Sequence, residues 1–570
     1  MAEPLPEPQS EPLPEPLPAA IAGASTPVLH ASAVMAAGTL LSRVTGFVRA
    51  GMLAAAIGLA TQGETFNVAN TIPNGLYILI AGGVFNAVLV PQLVRAAKFD
   101  GDDGDAYANR IITLGAIVLA GVTAALMLLA PYLLRLLVDG AWFTEPELAA
   151  ESESLLDFTR WCLPQIFFYG MFVLVGQILN VRGRFGPMMW APIVNNLIAI
   201  AVVATYLVLF DDPRAGGGFT ARQEVLLGLG STVGIVAQAL VLLPYLRATG
   251  FRVRPRFDFR RTGLSKTVRL GAWTVGLAVV NQVAFYVMVR IATGGVAAGE
   301  TSGDTGSGYT VYSNAFLLTQ VPHSIITVSL ATATVPLISA LAADGKLAEV
   351  AAETRRTLRL VLAVIVPFAV ALVVLAPALT TVLFSWGEAA GDTDVVGSTL
   401  IAFAPGLVLF SAQYVLVRAF FAVEDTRTPF LIQVVVAAVN IVTALSLTSV
   451  LEPQDVAPGL ALAYGAGWAA GTVATLVILS RRLGGLGVRS VLGFTVRVVL
   501  AAVPAAALAA LTLVGLTALG LEETDKLDSL VLLTACGVVG VATYLLLARL
   551  LRVHEIGQIL GVLTTRLRRA

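Results

Sequence analysis

The sequence predicts an all-α, polytopic membrane protein with about 14 transmembrane helices, and three observations support this prediction. Hydrophobic residues make up 57% of the 570 residues and charged residues only 13%, whereas about 25% of the residues in a soluble domain are charged. Apolar runs of about 18 residues or more, the length that crosses a bilayer, recur along the chain. Basic residues are concentrated in every second connection between these runs. These features exclude a soluble globular protein.

The first 18 residues combine seven prolines with glutamates. This composition favours an extended, solvated chain that cannot bury a core. We therefore expect residues 1–30 to form a disordered tail. The tail has no basic stretch ahead of an apolar run, so it does not resemble a secretory signal.

Fourteen apolar spans follow the tail. They lie near residues 31–56, 68–94, 111–134, 158–181, 186–210, 225–246, 270–293, 309–342, 360–384, 396–417, 428–450, 458–480, 490–516 and 529–548. Because their number is even, both termini are expected on the same side of the membrane.

The distribution of Lys and Arg predicts which side that is. If the N-terminus is cytoplasmic, 27 Lys and Arg residues fall in inner connections and the C-terminal tail, and six fall in outer connections. The outer connections are acidic instead, as in the stretch 139–157. Since positive residues are retained on the cytoplasmic side, both termini are predicted to be cytoplasmic.

Short motifs repeat six spans apart and indicate an internal duplication. IPN at 72–74 and VP at 90–91 in the second span recur as VPH at 321–323 and VP at 335–336 in the eighth. Each copy has an even number of spans, so the two copies are expected to be parallel. The predicted units are an N-lobe (31–246), a basic cytoplasmic linker (247–269), a C-lobe (270–480), spans thirteen and fourteen (481–552) and a cytoplasmic tail (553–570).

Several function classes lack support in the sequence. Cys162 and Cys536 are far apart, and three scattered histidines have no metal-ligand spacing, so we expect no disulfide framework, metal site or cofactor. The 36 basic and 36 acidic residues cancel, so no nucleic-acid partner is expected. No catalytic motif is recognisable, and we predict that the protein is not an enzyme.

Arg43 and Arg49 lie well inside the first span. A charge at mid-membrane costs at least ~2.5–3.5 kcal/mol, so such residues usually face a polar cavity, although snorkelling to the headgroups is the alternative. Six residues correspond to roughly 240° around a helix. The two arginines therefore share a face if the helix bends, for which Gly46 is suited.

Polar and helix-breaking residues also interrupt the second span, among them Asn70, Pro73, Asn74 and Gly82-Gly83. Such interruptions are tolerated where backbone lines a cavity. Kinking for close packing is an equally good explanation at this point.

SRVTGFVRA at 42–50, followed by ETFNVANTIPN and GGVFNAVLVPQLVRA, resembles the MurJ/MviN family of lipid II flippases, within the multidrug/oligosaccharidyl-lipid/polysaccharide exporter superfamily. LLTQVPHSIITVSLATATVPLIS and EDTRTP at 424–429 resemble further motifs of that family. The resemblance runs from about residue 33 to 480. It implies two parallel six-helix lobes around a central cavity. It also implies that the two extra helices form a groove for a polyprenyl tail, although plain lipid-facing helices remain an alternative.

The resemblance also implies a set of substrate-binding residues. Arg43 and Arg49 would bind the diphosphate of the lipid-linked precursor, and Glu64 and Asn74 match the acidic residue and the Asn of the family pattern. Arg290 either replaces a missing cavity cation or anchors the chain at the outer interface.

The chain departs from the family pattern at several positions. An Asp is replaced by Ala50, two cavity arginines by Tyr77 and Leu317, and a Glu-Gly pair by Gly82-Gly83.

The function implied by the resemblance is transport of lipid II from the inner to the outer leaflet of the bacterial cytoplasmic membrane by alternating access. The expected partners are lipid II or a related polyprenyl diphosphate lipid and membrane lipids, with cell-wall synthesis proteins as further candidates. Two alternatives remain within the superfamily, another polyprenyl-diphosphate oligosaccharide flippase and a cation-coupled drug exporter. A non-transporting cell-wall scaffold is the alternative from another class.

The charge distribution generates a topology prediction. A reporter fused after Ala570 and a single cysteine placed in the connection 246–269 should both report the cytoplasm, because basic connections are retained there. The measurement is labelling of intact cells with a membrane-impermeant maleimide. Labelling of that cysteine from outside would contradict the fourteen-span topology.

Overall fold

The computed structural model of the chain describes residues 26–79, 90–99, 104–210, 218–258, 264–303 and 305–558. Within these ranges the chain is helical with short connections and contains no strand. The all-α prediction is therefore confirmed for the described part of the chain.

The N-lobe contains eleven α-helices among its described residues. They are α1 (Thr26–Ile57), α2 (Thr61–Ile78), α3 (Val90–Phe99), α4 (Asp105–Leu128), α5 (Ala130–Leu137), α6 (Ala149–Cys162), α7 (Gln165–Val181), α8 (Gly186–Leu209), α9 (Ala221–Glu224), α10 (Gly230–Leu240) and α11 (Leu242–Ala248). A π-helical segment, Val225–Leu229, joins α9 to α10.

The C-lobe and the extra helices complete the described fold. They are α12 (Leu264–Ser302), α13 (Tyr309–Pro322), α14 (Ser329–Ala343), α15 (Leu347–Phe384), α16 (Thr393–Ala422), α17 (Arg427–Thr448), α18 (Val456–Arg482), α19 (Val488–Ala518) and α20 (Lys526–Leu550). A second π-helical segment, His323–Val328, continues α13 into α14 directly after Pro322.

Thirteen described helical stretches are long and apolar enough to cross a membrane. They correspond to every predicted span except the second. That span is described only in part, by α2 and α3, and residues 80–89, with the predicted Gly82-Gly83 interruption, lie outside the described residues.

Several predicted boundaries differ from the structure. Helix α1 begins at Thr26, so the last residues of the predicted tail are helical, and residues 1–25 lie outside the described residues. The acidic stretch 139–157 was predicted to be a connection, but α6 begins at Ala149 because its apolar residues, such as Leu155 and Phe158, pack into the core.

The basic linker is also shorter than predicted, because α12 already begins at Leu264. Residues 251–258 are extended and 259–263 lie outside the described residues. At the other terminus, residues 554–558 are helical, and Val553 and Ile556 are buried in the core of the C-lobe. The predicted cytoplasmic tail is therefore ordered at its start, and 559–570 are not described.

Each lobe packs mainly around one or two of its own helices. In the N-lobe, α8 packs against α1 and α10, and α4 packs against α7. In the C-lobe, α18 packs against α16 and α17, and α12 packs against α17. The extra helices α19 and α20 pack against each other and against α15.

Small residues allow the C-lobe helices to approach closely. Gly467 and Gly471 of α18 form a Gly-x-x-x-Gly pair that faces α17, and a Cβ at Gly471 would lie 2.3 Å from Cγ2 of Val436. Gly406 of α16 faces Gly465 of α18 in the same way. Such positions let apolar helices associate in lipid through backbone contact.

The helix ends define two ends of the molecule. The basic end carries the connections 182–185, 249–258 and 423–426, and the acidic end carries 138–148, 305–308 and 385–392. The lobes contact each other toward the acidic end, where Val296 of α12 joins the N-lobe core and Leu59 joins the C-lobe core.

Candidate functional site

A polar cavity of about 440 Å³ lies between the two lobes. Its walls come from α1, α2, α7, α8 and α13. The described lining residues are Ser42, Arg43, Gly46, Phe47, Arg49, Ala50, Leu53, Ala54, Gly58, Leu59, Asn67, Asn70, Thr71, Asn74, Tyr169, Asn196, Tyr309, Ser313, Asn314 and Leu317.

Both predicted arginines line this cavity. Arg43 and Arg49 are partly buried on α1, and Gly46 lies between them on the same wall. Among the described residues, neither guanidinium has a hydrogen-bond or ion-pair partner. None of the described lining residues is Asp or Glu. The cavity is therefore positive and suits an anion.

Asn196 of α8 fixes the part of α1 that carries the arginines. Its Nδ2 donates to the carbonyl of Ser42 at 2.9 Å and to Oγ1 of Thr45 at 3.0 Å. Asn196 was not among the site residues predicted from the sequence. The available signal was a polar side chain within an otherwise apolar span, which the sequence does not distinguish from a structural asparagine.

Some of the residues that interrupt the second span line the cavity, and others allow close packing. Asn70 and Asn74 line the cavity, and Asn74 is exposed. Gly75 instead allows close packing, because a Cβ there would lie 2.3 Å from the hydroxyl of Tyr286. That hydroxyl donates to the carbonyl of Ile72 at 3.2 Å and so ties α2 to α12.

Glu64 does not line the cavity. It is fully buried near the acidic end, where its carboxylate accepts the backbone N–H groups of Tyr309 at 2.8 Å and Thr310 at 2.7 Å. These are the first N–H groups of α13, which have no partner within the helix. A carboxylate at this position also interacts favourably with the helix dipole. The structure thus assigns Glu64 to the contact between the lobes rather than to the predicted substrate site.

Glycine is required beside this contact. A Cβ at Gly308 would lie 2.6 Å from Oε1 of Glu64, and one at Gly63 would lie 2.4 Å from the carbonyl oxygen of Gly58. A larger residue at Gly308 would therefore push the two lobes apart, whereas a larger residue at Gly63 would clash within the N-lobe and displace the start of α2.

Arg290 does not replace a missing cavity cation either. Its Nη1 donates to the carbonyls of Arg135 at 2.9 Å, Leu136 at 3.1 Å and Val138 at 2.6 Å. These carbonyls belong to the end of α5, so Arg290 of α12 holds the lobes together at the acidic end. The structure therefore gives Arg290 contacts with the end of α5, and Arg290 is not among the described cavity-lining residues.

Further hydrogen bonds join the lobes nearby. The N–H of Asp139 donates to Oγ1 of Thr293 at 3.0 Å, and Nε1 of Trp142 donates to the carbonyl of Thr293 at 2.9 Å. Thr61 donates to Glu300, and the N–H of Leu59 donates to Asp392 at 3.3 Å. The acidic end is therefore closed by polar contacts.

The two positions where the family pattern has arginine carry no charge here. Tyr77 stacks on Tyr169 with ring centroids 4.6 Å apart, and Leu317 lines the cavity. Arg43 and Arg49 are accordingly the cations of the described lining. The described residues contain no group of three or more His, Cys, Asp or Glu side chains placed to hold a metal ion.

The family model described as "Lipid II flippase MurJ" matches residues 53–523. The chain belongs to the lipid II flippase MurJ family. A "Probable lipid II flippase MurJ" of Rhizobium meliloti (strain 1021) is 28% identical over 443 residues, which cover 76% of this chain and 78% of the relative. The "Lipid II flippase MurJ" of Burkholderia cenocepacia is 27% identical over 521 residues, covering 89% and 94%.

Solved structures share the fold. A structure described as "Lipid II flippase MurJ, inward closed conformation" matches with a TM-score of 0.69 at 17% identity and covers 90% of this chain and 98% of that one. An inward-facing multidrug resistance MATE family transporter matches with a TM-score of 0.60 at 14% identity, covering 78% and 95%. These likenesses confirm the predicted two-lobed MurJ fold.

The contact between Glu64 and α13 generates a prediction for this MurJ-family chain. Glu64→Gln replaces one acceptor oxygen with an amide that cannot accept the second N–H, so the acidic end should open more readily. Hydrogen bonds to charged groups contribute about 1.5–3 kcal/mol, and we expect a cysteine at Leu317 to be labelled from the acidic end at least ~10-fold faster.

Glu151→Gln is the matched control, because Glu151 accepts the N–H of Gly218 within one lobe. It should leave the labelling rate at Leu317 unchanged. Equal rates in the wild type and Glu64→Gln would show that Glu64 does not hold the acidic end closed.

Proposed function

We propose that this chain is a lipid II flippase, which binds the diphosphate of lipid II in the cavity and carries its headgroup from the inner to the outer leaflet. The observation that carries the proposal is the position of Arg43 and Arg49 in one cavity whose described lining contains no carboxylate. Two uncompensated guanidinium groups are favourable there only with an anionic or well-hydrated partner.

A diphosphate is the ligand that Arg43 and Arg49 suit best. The planar guanidinium binds phosphate oxygens in a bidentate manner and stays charged at every physiological pH. Asn67, Asn70 and Asn74 on the neighbouring wall supply amide groups for the polar sugars and peptide of the headgroup. The headgroup would thereby cross ~30 Å of hydrocarbon without leaving a polar environment.

The polyprenyl tail can remain in an apolar environment. A groove of about 380 Å³ lies between α15, α19 and α20, and its lining is largely Ala, Val, Leu and Phe. The groove supports a role for the two extra helices in holding the tail, in preference to their being plain lipid-facing helices.

Transport would proceed by alternating access. The lobes meet at the acidic end through Glu64, Arg290 and Thr293, and these polar contacts can exchange for water when the lobes separate. Positive residues are retained in the cytoplasm, which makes the acidic end the outer one and both termini cytoplasmic. The cavity would then load from the inner leaflet of the bacterial cytoplasmic membrane.

The rivals differ in what the cavity must hold. A drug exporter for cationic substrates needs a carboxylate, which the described lining lacks. Other polyprenyl diphosphate lipids present the same diphosphate, and binding competition separates them from lipid II. A non-transporting scaffold would not need the two arginines.

Flipping breaks no covalent bond, so the proposed activity is not enzymatic. Cell-wall synthesis proteins are proposed partners.

Alanine substitutions of the arginines test the proposal. Arg43→Ala or Arg49→Ala should weaken lipid II binding roughly 30- to 4000-fold, because losing a buried charged partner costs ~2–5 kcal/mol. Each should abolish complementation in flippase-depleted cells. Lys variants keep the charge but lose the bidentate geometry and should rescue partly. Binding is measured with the purified protein.

Arg497→Ala is the matched control, since Arg497 is also a partly buried arginine within a span but lies on α19, away from the lining. It should bind lipid II as the wild type does. Full activity of the double variant Arg43→Ala/Arg49→Ala at normal expression would refute the proposal.

A further inference from the structure

Residues 251–258, which we call the strap, are extended and fastened along the start of α4. Oδ1 of Asn109 accepts the N–H of Arg254 at 2.6 Å, and its Nδ2 donates to the carbonyl of Arg252 at 3.2 Å. Oγ1 of Thr113 accepts the N–H of Arg256 at 3.0 Å. These bonds hold the backbone of the strap against α4 at alternate residues.

Both ends of the strap are pinned. Phe251 is buried, and the guanidinium of Arg182 lies 5.0 Å from its ring centroid. At the other end, Arg110 forms a 2.6 Å ion pair with Asp258. The hydrogen bond from Arg110 also lowers the pKa of Asp258, so this carboxylate is charged at neutral pH. The strap therefore has a fixed position on α4.

The exposed side chains of the strap are basic and apolar in alternation. Arg252, Arg254 and Arg256 are exposed, and so are Val253 at 53% and Phe257 at 70%. Exposed aromatic and aliphatic groups interleaved with cations are typical of segments that lie in the interface between lipid and water.

The position of the strap on α4 matches that interface. The polar start of α4 extends to Arg110, and its apolar run begins at Ile111. One turn beyond Thr113 on the same helix face, Ile117 is 50% exposed, as expected of a residue that faces lipid. The strap therefore lies on the lipid-facing side of α4, where the hydrocarbon ends.

We propose that the strap is a binding surface for the phosphate headgroups of anionic phospholipids at the basic end of the molecule. Its three exposed arginines face the headgroups, and Val253 and Phe257 enter the boundary with the acyl chains. The proposal is independent of the transported substrate, because none of these residues lines the central cavity.

The acidic N-terminal segment, with Glu3, Glu7, Glu11 and Glu15, is the competing occupant. It matches the charge of the arginines. Its aliphatic side chains are three leucines, Leu5, Leu13 and Leu17, spaced among prolines and glutamates, so it covers Val253 and Phe257 less completely than acyl chains do. The anionic lipid surface accounts for both kinds of side chain.

The test compares lipid binding by two full-length variants with the same loss of charge. Arg252, Arg254 and Arg256 are replaced by Gln in one variant. In the matched control, Arg481, Arg489 and Arg549, which are exposed at the basic ends of α18, α19 and α20, are replaced by Gln. Native mass spectrometry of the purified proteins gives the affinities for phosphatidylglycerol and phosphatidylcholine.

An arginine in contact with a bound anionic headgroup changes the affinity about fivefold. Because the strap carries its three arginines within five residues, whereas the control arginines lie on three different helices, the strap variant should lose roughly 100-fold for phosphatidylglycerol. Its affinity for phosphatidylcholine should stay within about twofold of wild type, and the control should lose less than about fivefold. Since the interaction is electrostatic, the difference should shrink at high salt. Equal losses in both triple variants, or none in the strap variant, would overturn the proposal.

Two further variants separate loss of lipid binding from a folding defect and from competition by the acidic segment. If the triple variant does not fold, Arg254→Gln alone should lose about fivefold for phosphatidylglycerol, and wild-type affinity would overturn the proposal. Deletion of residues 1–18 should leave phosphatidylglycerol binding unchanged. A rise in binding that requires the strap arginines would assign the strap to the acidic segment instead and overturn the lipid assignment.

Discussion

Glu64 connects the two lobes through a fully buried carboxylate that accepts the first two N–H groups of α13. A buried charge costs several kcal/mol unless it is paired or hydrogen-bonded. Here the partners are backbone groups that also lack a partner within their own helix. The contact therefore gives hydrogen-bond partners both to the carboxylate and to the N–H groups. Separating the lobes would remove the partners of both. Gly308 leaves room for this approach. Together with the hydrogen bonds of Arg290 and Thr293, these atoms close the acidic end.

Closure at the acidic end shields the cavity that holds the two arginines. Arg43 and Arg49 lie on α1, and the acidic end of this helix packs against the C-lobe near Gly387, whose Cβ would meet the carbonyl of Ala55 at 2.2 Å. The arginines are therefore held in a polar space that the acidic-end contacts shield. An anion that bridges them would stabilise this space, and release would follow when the contacts at Glu64 and Arg290 break. The proposed mechanism thus assigns substrate binding and opening of the acidic end to separate sets of residues.

Much of the fold was predictable from the sequence because membrane crossing imposes length and composition on each helix. The arginines were predictable for a related reason, since a charge within a span needs a polar environment. The roles of Glu64 and Arg290 were not. Their partners are far away in the chain, since Tyr309 lies 245 positions after Glu64 and Arg290 lies 152 positions after Val138. A sequence gives the residue type and its depth, but not which distant backbone groups it will meet.

If transport proceeds by alternating access, the acidic end and the basic end close in turn. Distances between the lobes at both ends, measured by double electron–electron resonance, test this alternation most directly. Spin labels at Glu147 and Gln454 report the acidic end, and labels at Arg184 and Glu349 report the basic end. These four residues are exposed, and the native Cys162 and Cys536 are buried. Saturating lipid II should populate a second state with a longer acidic-end distance and a shorter basic-end distance, and Glu64→Gln should increase its share. Unchanged distributions at both ends in a transport-active protein would contradict closure through Glu64.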